Sequence, residues 1–249
     1  DQALRRVRDS LQANPGDLAS KVLLGRIRLR LGHSRAAEEA LSEALKLGAA
    51  PSLVAVPLAR ARNQLGKFSL NMNTIDAEAL AADRNGDLWV ERGQAALGMG
   101  NFVEAVFAFE RAEQRNPDNL GALLGLAAVR IEEGDLAAAE ALCQRALEQR
   151  PDSADAWFVT GLLREQQFRL GEAQTHFERA LGIDANHPKA RLARAIVTLH
   201  RNQPAAAVPM FEAIFARAPA SNVDDAVYDY LLEWTVILGH LFPDYVPAD

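Results

Sequence analysis

Few residues of this chain could do chemistry, and their spacing does not assemble them. The five histidines, His33, His176, His187, His200 and His240, include no pair at metal-ligand spacing. Cys143 is the single cysteine, which leaves no internal disulfide and no cysteine-based structural zinc site to build. Paired acids occur at Glu38-Glu39, Glu132-Glu133 and Asp224-Asp225, and they read as helix-end or solvated charge rather than acid/base dyads. Neither a Gly-x-Ser-x-Gly turn nor a phosphate-cradling glycine loop is present. The expectation is a chain that is not an enzyme and takes no cofactor or metal.

Composition narrows the remaining classes. Of 249 residues, 49% are hydrophobic but only 6% aromatic, so the apolar mass is aliphatic side chains and alanine. That fraction is far too high for disorder and predicts a sizeable core. A net charge of −6 argues against nucleic acid as a partner. No apolar run approaches the roughly 18 to 20 residues of a membrane helix, so no transmembrane segment is expected. The start at Asp1, without methionine or a basic-then-apolar leader, reads as a piece trimmed from a longer protein.

The elements that must position any site are set by a repeat of 34 residues. With Gly86 as position 1, Trp89, Gly93, Gly100, Phe102, Ala105, Phe109, Ala112 and Pro117 fall at positions 4, 8, 15, 17, 20, 24, 27 and 32. The next 34 residues place Leu123, Ala127, Gly134, Leu136, Ala139, Cys143, Ala146 and Pro151 in the same slots. The segment from Ala154 gives Trp157, Gly161, Phe168, Leu170, Ala173, Phe177 and Ala180, and the segment from Leu18 supplies Gly25, Gly32, Ala37, Leu41 and Ala44. Each unit carries two amphipathic stretches at i, i+3, i+4, i+7, broken near position 15. Small residues at 8, 20 and 27 let paired helices approach, position 24 fills the gap, and proline at 32 ends the second helix.

This pattern resembles the tetratricopeptide repeat across six units: 18–51, 52–85, 86–119, 120–153, 154–187 and 188–221. The resemblance implies an all-α fold, a right-handed α-solenoid of six helix pairs. Residues 1–17 read as an N-terminal half-repeat, with Ala3, Val7 and Pro15 at positions 20, 24 and 32. Residues 222–249 read as a C-terminal capping helix and tail. The unit 52–85 is degenerate: Asn71 stands at small position 20, Glu78 at position 27, and Ser69 to Thr74 is a poor helix former. Its second helix is expected to be short, irregular or shifted. The closing helix is apolar on more than one face, so Tyr230, Trp234, Ile237 and Leu241 are candidate oligomer contacts, with a homodimer as one outcome.

The family resemblance further implies that positions 2, 5, 9, 12 and 13 of each first helix line a concave groove. Position 5 is apolar throughout, from Val22 to Leu124, Phe158 and Leu192, while position 9 runs Arg26, Arg60, Gln94, Ala128, Leu162 and Ile196. Positions 12 and 13 add Leu97 and Glu165, and Arg30, Gln64 and His200. Charge divides the same way, with residues 1–68 holding 12 Lys+Arg and 6 Asp+Glu. Two readings stand. In one, the arginines are ordinary solvated residues and position 5 is inter-helix core. In the other, Arg26, Arg30 and Arg60 hold an anionic group, Gln64 and Gln94 add polar contacts, and Leu97, Leu124, Phe158 and Leu162 receive apolar side chains of a protein or peptide segment. A carboxylate clamp of the chaperone-tail type is disfavoured, since Val22/Arg26 and Val56/Arg60 lack its lysine and asparagine.

The stretch Leu23-Leu24-Gly25-Arg26, Gly32, Ala36-Ala37-Glu38, Ala44 to Ala49, Pro57-Leu58-Ala59-Arg60-Ala61 and Gly66-Lys67-Phe68 resembles the N-terminal region of PrsT-like proteins of bacterial PEP-CTERM/exosortase and exopolysaccharide systems. That resemblance implies a scaffold in exopolysaccharide secretion or envelope assembly, in the periplasm or at the outer membrane; a cytoplasmic location is the alternative. A regulatory module of a larger enzyme such as a glycosyltransferase, or a polysaccharide-binding module, are the competing classes. Sugar binding would call for stacking aromatics along the groove, and Phe158 alone meets that.

Overall fold

A computed structural model of the chain describes residues 2–215. These form fourteen helices and no strand. The first, α1 (Gln2–Ala13), is the expected half-repeat. Regular pairs follow as α2 (Leu18–Arg30) with α3 (Ser34–Lys46), α7 (Asp87–Gly98) with α8 (Phe102–Arg115) and α9 (Leu120–Glu132) with α10 (Leu136–Gln149). The last two pairs are α11 (Ala154–Gln166) with α12 (Leu170–Ile183) and α13 (Pro188–His200) with α14 (Pro204–Phe215). The capping helix expected within residues 222–249 lies outside the described residues, as do Tyr230, Trp234, Ile237 and Leu241.

Local chemistry sets each boundary. Gly32, Gly66, Gly100 and Gly134, all at position 15, take φ between +67° and +78° and end the first helices. Position 34 caps the next first helix: Asn119 accepts the Ala122 amide at 3.1 Å and Ser153 the Ala156 amide at 3.2 Å. His187 does the same for Ala190 through Nδ1 at 3.1 Å, so its proton sits on Nε2, which donates to Asp155 at 3.0 Å. That bond, outweighing partial burial, holds the Asp155 carboxyl below the ordinary value.

The core is segmented along the stack, as the repeat demands. Position 20 is fully buried in every unit, and positions 8 and 24 of one unit touch. A Cβ on Gly25 would stand 2.5 Å from Leu41, and one on Gly93 would stand 2.6 Å from Phe109. Gly161 is similarly closed by Phe177. Where position 24 is Cys143, Ile75 or Phe211, position 8 is Ala127, Ala59 or Ala195, each buried in the same cluster as its partner. Burial also pushes the Cys143 thiol up to about 11, in keeping with its packing role.

The unit 52–85 departs from this plan. Its first helix, α4 (Pro51–Gln64), contains Pro57, and its second is split into α5 (Phe68–Thr74) and α6 (Ala77–Ala82). Ile75 still fills position 24, after which Asp76 starts a new helix by accepting the Ala79 amide at 2.8 Å. The restart turns Glu78 outward and buries Leu80 in its place. With its second helix broken in two, α4 packs on α7 of the next unit at least as heavily as on α5 and α6 together. This realises the expected irregularity as a break at one cap.

Candidate binding groove

The seam between α4 and α7 is polar. Arg60 Nε donates to Glu91 Oε1 at 2.6 Å, and Asn63 Nδ2 donates to Glu91 Oε2 at 3.0 Å and to its backbone oxygen at 2.8 Å. Asn71, completely buried, donates to Asn63 Oδ1 and to the Ala59 carbonyl, each at 2.7 Å. Glu91 is itself buried, and loss of water pushes its carboxyl above the ordinary value against the pull of Arg60 and Asn63. Asn71 thus enters a slot that is alanine in the other units because it anchors this network.

Arg60, one of three candidate anion holders, is therefore committed to Glu91 although its side chain stays 49% exposed. The repeat register places it against position 6 of the following unit, where Glu91 is the charged residue among Leu23, Pro57, Gly125, Val159 and Ala193. That contrast at position 6 was a readable signal. Arg26 and Arg30, by contrast, are not buried and have no hydrogen-bond or ion-pair partner among the described residues. Gln64 is partly exposed and accepts a hydrogen bond from Ser34 Oγ at 2.6 Å. Gln94 and Leu97 are half-buried on α7. Leu124 is only 7% exposed and sits with Leu123, Ala127 and Cys143 in the core, so its side chain is floor rather than contact surface. Phe158 is half-buried, its ring centroid 5.9 Å from Phe177 and 5.3 Å from His187.

Toward the other end, the C-terminal turns of α9, α11 and α13 line a half-open cavity of about 580 Å³. Ala128, Ile131, Leu162 and Leu170 form its apolar lining, and Glu132, Glu165, Gln166, Phe168 and His200 its polar and aromatic edge. Burial raises the Glu165 carboxyl above its ordinary value, opposed by His200, whose Nδ1 lies 3.4 Å from Glu165 Oε1. Among the described residues no group of His, Cys, Asp and Glu is arranged to hold a metal ion. No described helix is long and apolar enough to cross a membrane.

Comparison with known proteins fits this architecture. Residues 96–163 and residues 154–187 each match a tetratricopeptide-repeat family model. A thermophilic tetratricopeptide protein of Thermus thermophilus is 21% identical and superposes with a TM-score of 0.65 over 73% of this chain and 99% of its own. One from Parabacteroides merdae is 15% identical, with a TM-score of 0.66 over 92% of this chain and 91% of its own. At such identities the likeness is one of fold. A curated relative, the CTR9 homologue of Arabidopsis thaliana, is 34% identical over 115 residues, 46% of this chain. This chain spans 10% of that protein's length. Period, helix pairing and these matches together identify tetratricopeptide repeats within residues 96–187, and the described residues have the fold of an α-solenoid of stacked helix pairs. Proteins of this fold are in general non-catalytic and mediate protein–protein interaction.

Proposed function

We propose that the chain is a non-enzymatic scaffold that holds an extended or helical segment of a partner protein in its concave groove. The observation that carries this reading is the pair Arg26 and Arg30 on α2, solvent-accessible and without hydrogen-bond or ion-pair partners among the described residues, with the half-buried Leu97, Phe158 and Leu162 at first-helix positions of later units. A segment with carboxylates at one end and apolar side chains further along complements that order. Assembly with another protein is seen for this fold in the Cut9–Hcn1 hetero-tetramer of the APC/C, 16% identical and matched over 91% of this chain and 45% of that one with a TM-score of 0.66.

The setting we propose is bacterial exopolysaccharide secretion or envelope assembly, in the periplasm or at the outer membrane. Its support is the PrsT-like stretch from Leu23 to Phe68. Self-association through Tyr230, Trp234, Ile237 and Leu241 belongs to the same proposal. A second reading, a repeat module within a larger protein, draws support from the CTR9 homologue, of which this chain covers one-tenth.

A photo-crosslinking residue at Leu97, compared with one at Val103, 84% exposed on the second-helix layer, tests the groove in the native host. Leu97 should yield one discrete partner adduct that Val103 does not, and Arg26→Glu with Arg30→Glu should diminish it. Equal labelling from both positions would contradict the groove reading. Fractionation of the same cells tests the envelope setting.

A further inference from the structure

The cavity between α9, α11 and α13 carries a residue that the repeat would not choose. At position 15 the other units have Gly32, Gly66, Gly100, Gly134 and Asn202, whereas the fifth has Phe168. Phe168 sits in the left-handed region at φ +57°, closing α11 with the Phe168 amide donating to Glu165 at 2.9 Å and the Arg169 amide to Arg164 at 2.9 Å. For a bulky residue this conformation is strained, and glycine would take it freely. The ring gains no packing in return, since it is 88% exposed at the cavity edge. A strained backbone holding an exposed aromatic beside an apolar cavity is an arrangement that folding alone does not favour.

Charge selects the occupant. Glu165 is largely sheltered, with its side chain 23% exposed, and His200 is the group beside it. Glu132 adds an exposed carboxylate without a partner among the described residues. The floor of Ile131, Leu162 and Leu170 would cover an aliphatic stem, Glu165 and Glu132 would accept N–H donors, and the free face of Phe168 would stack on a planar cation. Resting on the groove reading above, we infer that this cavity receives an arginine side chain of the partner segment, flanked by an apolar residue. Arginine fits where lysine does less well, because its guanidinium can pair with a carboxylate and stack on a ring at once. Residues 216–249 of the chain itself carry six carboxylates and one arginine, Arg217, so they are a poor source of it. The groove is therefore dipolar, with cations on α2 and carboxylates at the α11–α13 end.

The test is an NMR titration of the full chain with acetyl-Leu-Arg-Leu-amide, its citrulline counterpart and acetyl-Leu-Glu-Leu-amide. The arginine peptide should shift amides around Ile131, Glu165 to Leu170 and His200. Citrulline, nearly isosteric but neutral, should bind roughly tenfold more weakly, as should the arginine peptide to Glu132→Gln/Glu165→Gln. Phe168→Gly should raise Tm by roughly 2–4 °C while weakening the arginine peptide several-fold. Absent shifts at the cavity, equal binding of arginine and citrulline peptides, or full affinity in either variant would overturn the inference. If the glutamate peptide still shifts α2 amides, or Leu97 still crosslinks a partner, the groove reading survives that failure.

Discussion

The tightest approaches between paired helices are those of position 8 to position 24 of one unit, and where position 8 is glycine the side chain at 24 is matched to the missing Cβ. Gly93 faces Phe109 and Gly161 faces Phe177, whereas Ala127 faces Cys143. Gly93→Ala therefore drives a methyl into the Phe109 ring and should cost about 1–3 kcal/mol in urea unfolding. Adding Phe109→Leu should recover part of that loss, and a simple sum of the two effects in a double-mutant cycle would refute the matching. A second residue-scale prediction concerns acid. Arg164 donates to both oxygens of Glu140, at 2.5 and 2.6 Å, and these bonds hold its carboxyl below the ordinary value. Its folded pKa is thus lower than its unfolded one, so the contribution to stability is present above about pH 4.3 and is lost as pH falls through the folded value. Glu140 is 41% exposed, so the effect is screened to no more than about 1 kcal/mol. Glu140→Gln should be less stable than the parent at pH 7 and equal to it in strong acid, as read by chemical denaturation at both pH values.

At the scale of elements, the split second helix of the unit 52–85 is the departure with consequences. Helices of seven and six residues cannot persist on their own, so α5 and α6 depend on contacts with α4 and α7. Their amides should exchange faster than those of any helix from α7 to α12, a result that hydrogen exchange can read residue by residue. Asn71→Ala restores the alanine of other units but strips donors from Asn63 and Ala59, and should cost about 1–2 kcal/mol. Much of this was legible in the sequence. Period, helix pairing and the weakness of Ser69 to Thr74 follow from glycine, alanine and proline placed every 34 residues. The partner of Arg60 did not follow, because Glu91 lies 31 residues on and meets it only where two first helices pack. Phe168 was visible at position 15, but its exposure beside a cavity depends on how three units stack.

Across the whole molecule the net charge of −6 is unevenly distributed. Residues 1–68 carry the excess of cations; Arg60 is paired with Glu91, whereas Arg26 and Arg30 on α2 have no partner among the described residues. A partner held there should bind more weakly as salt rises, because exposed charges are screened within about 10 Å at 0.1 M ionic strength. The most direct test is the affinity of the partner captured at Leu97 for the parent and for Arg26→Glu/Arg30→Glu, measured across a salt series. Roughly tenfold weaker binding at low salt and a flatter salt dependence are expected of the variant. Equal affinity and an unchanged salt slope would contradict the groove reading.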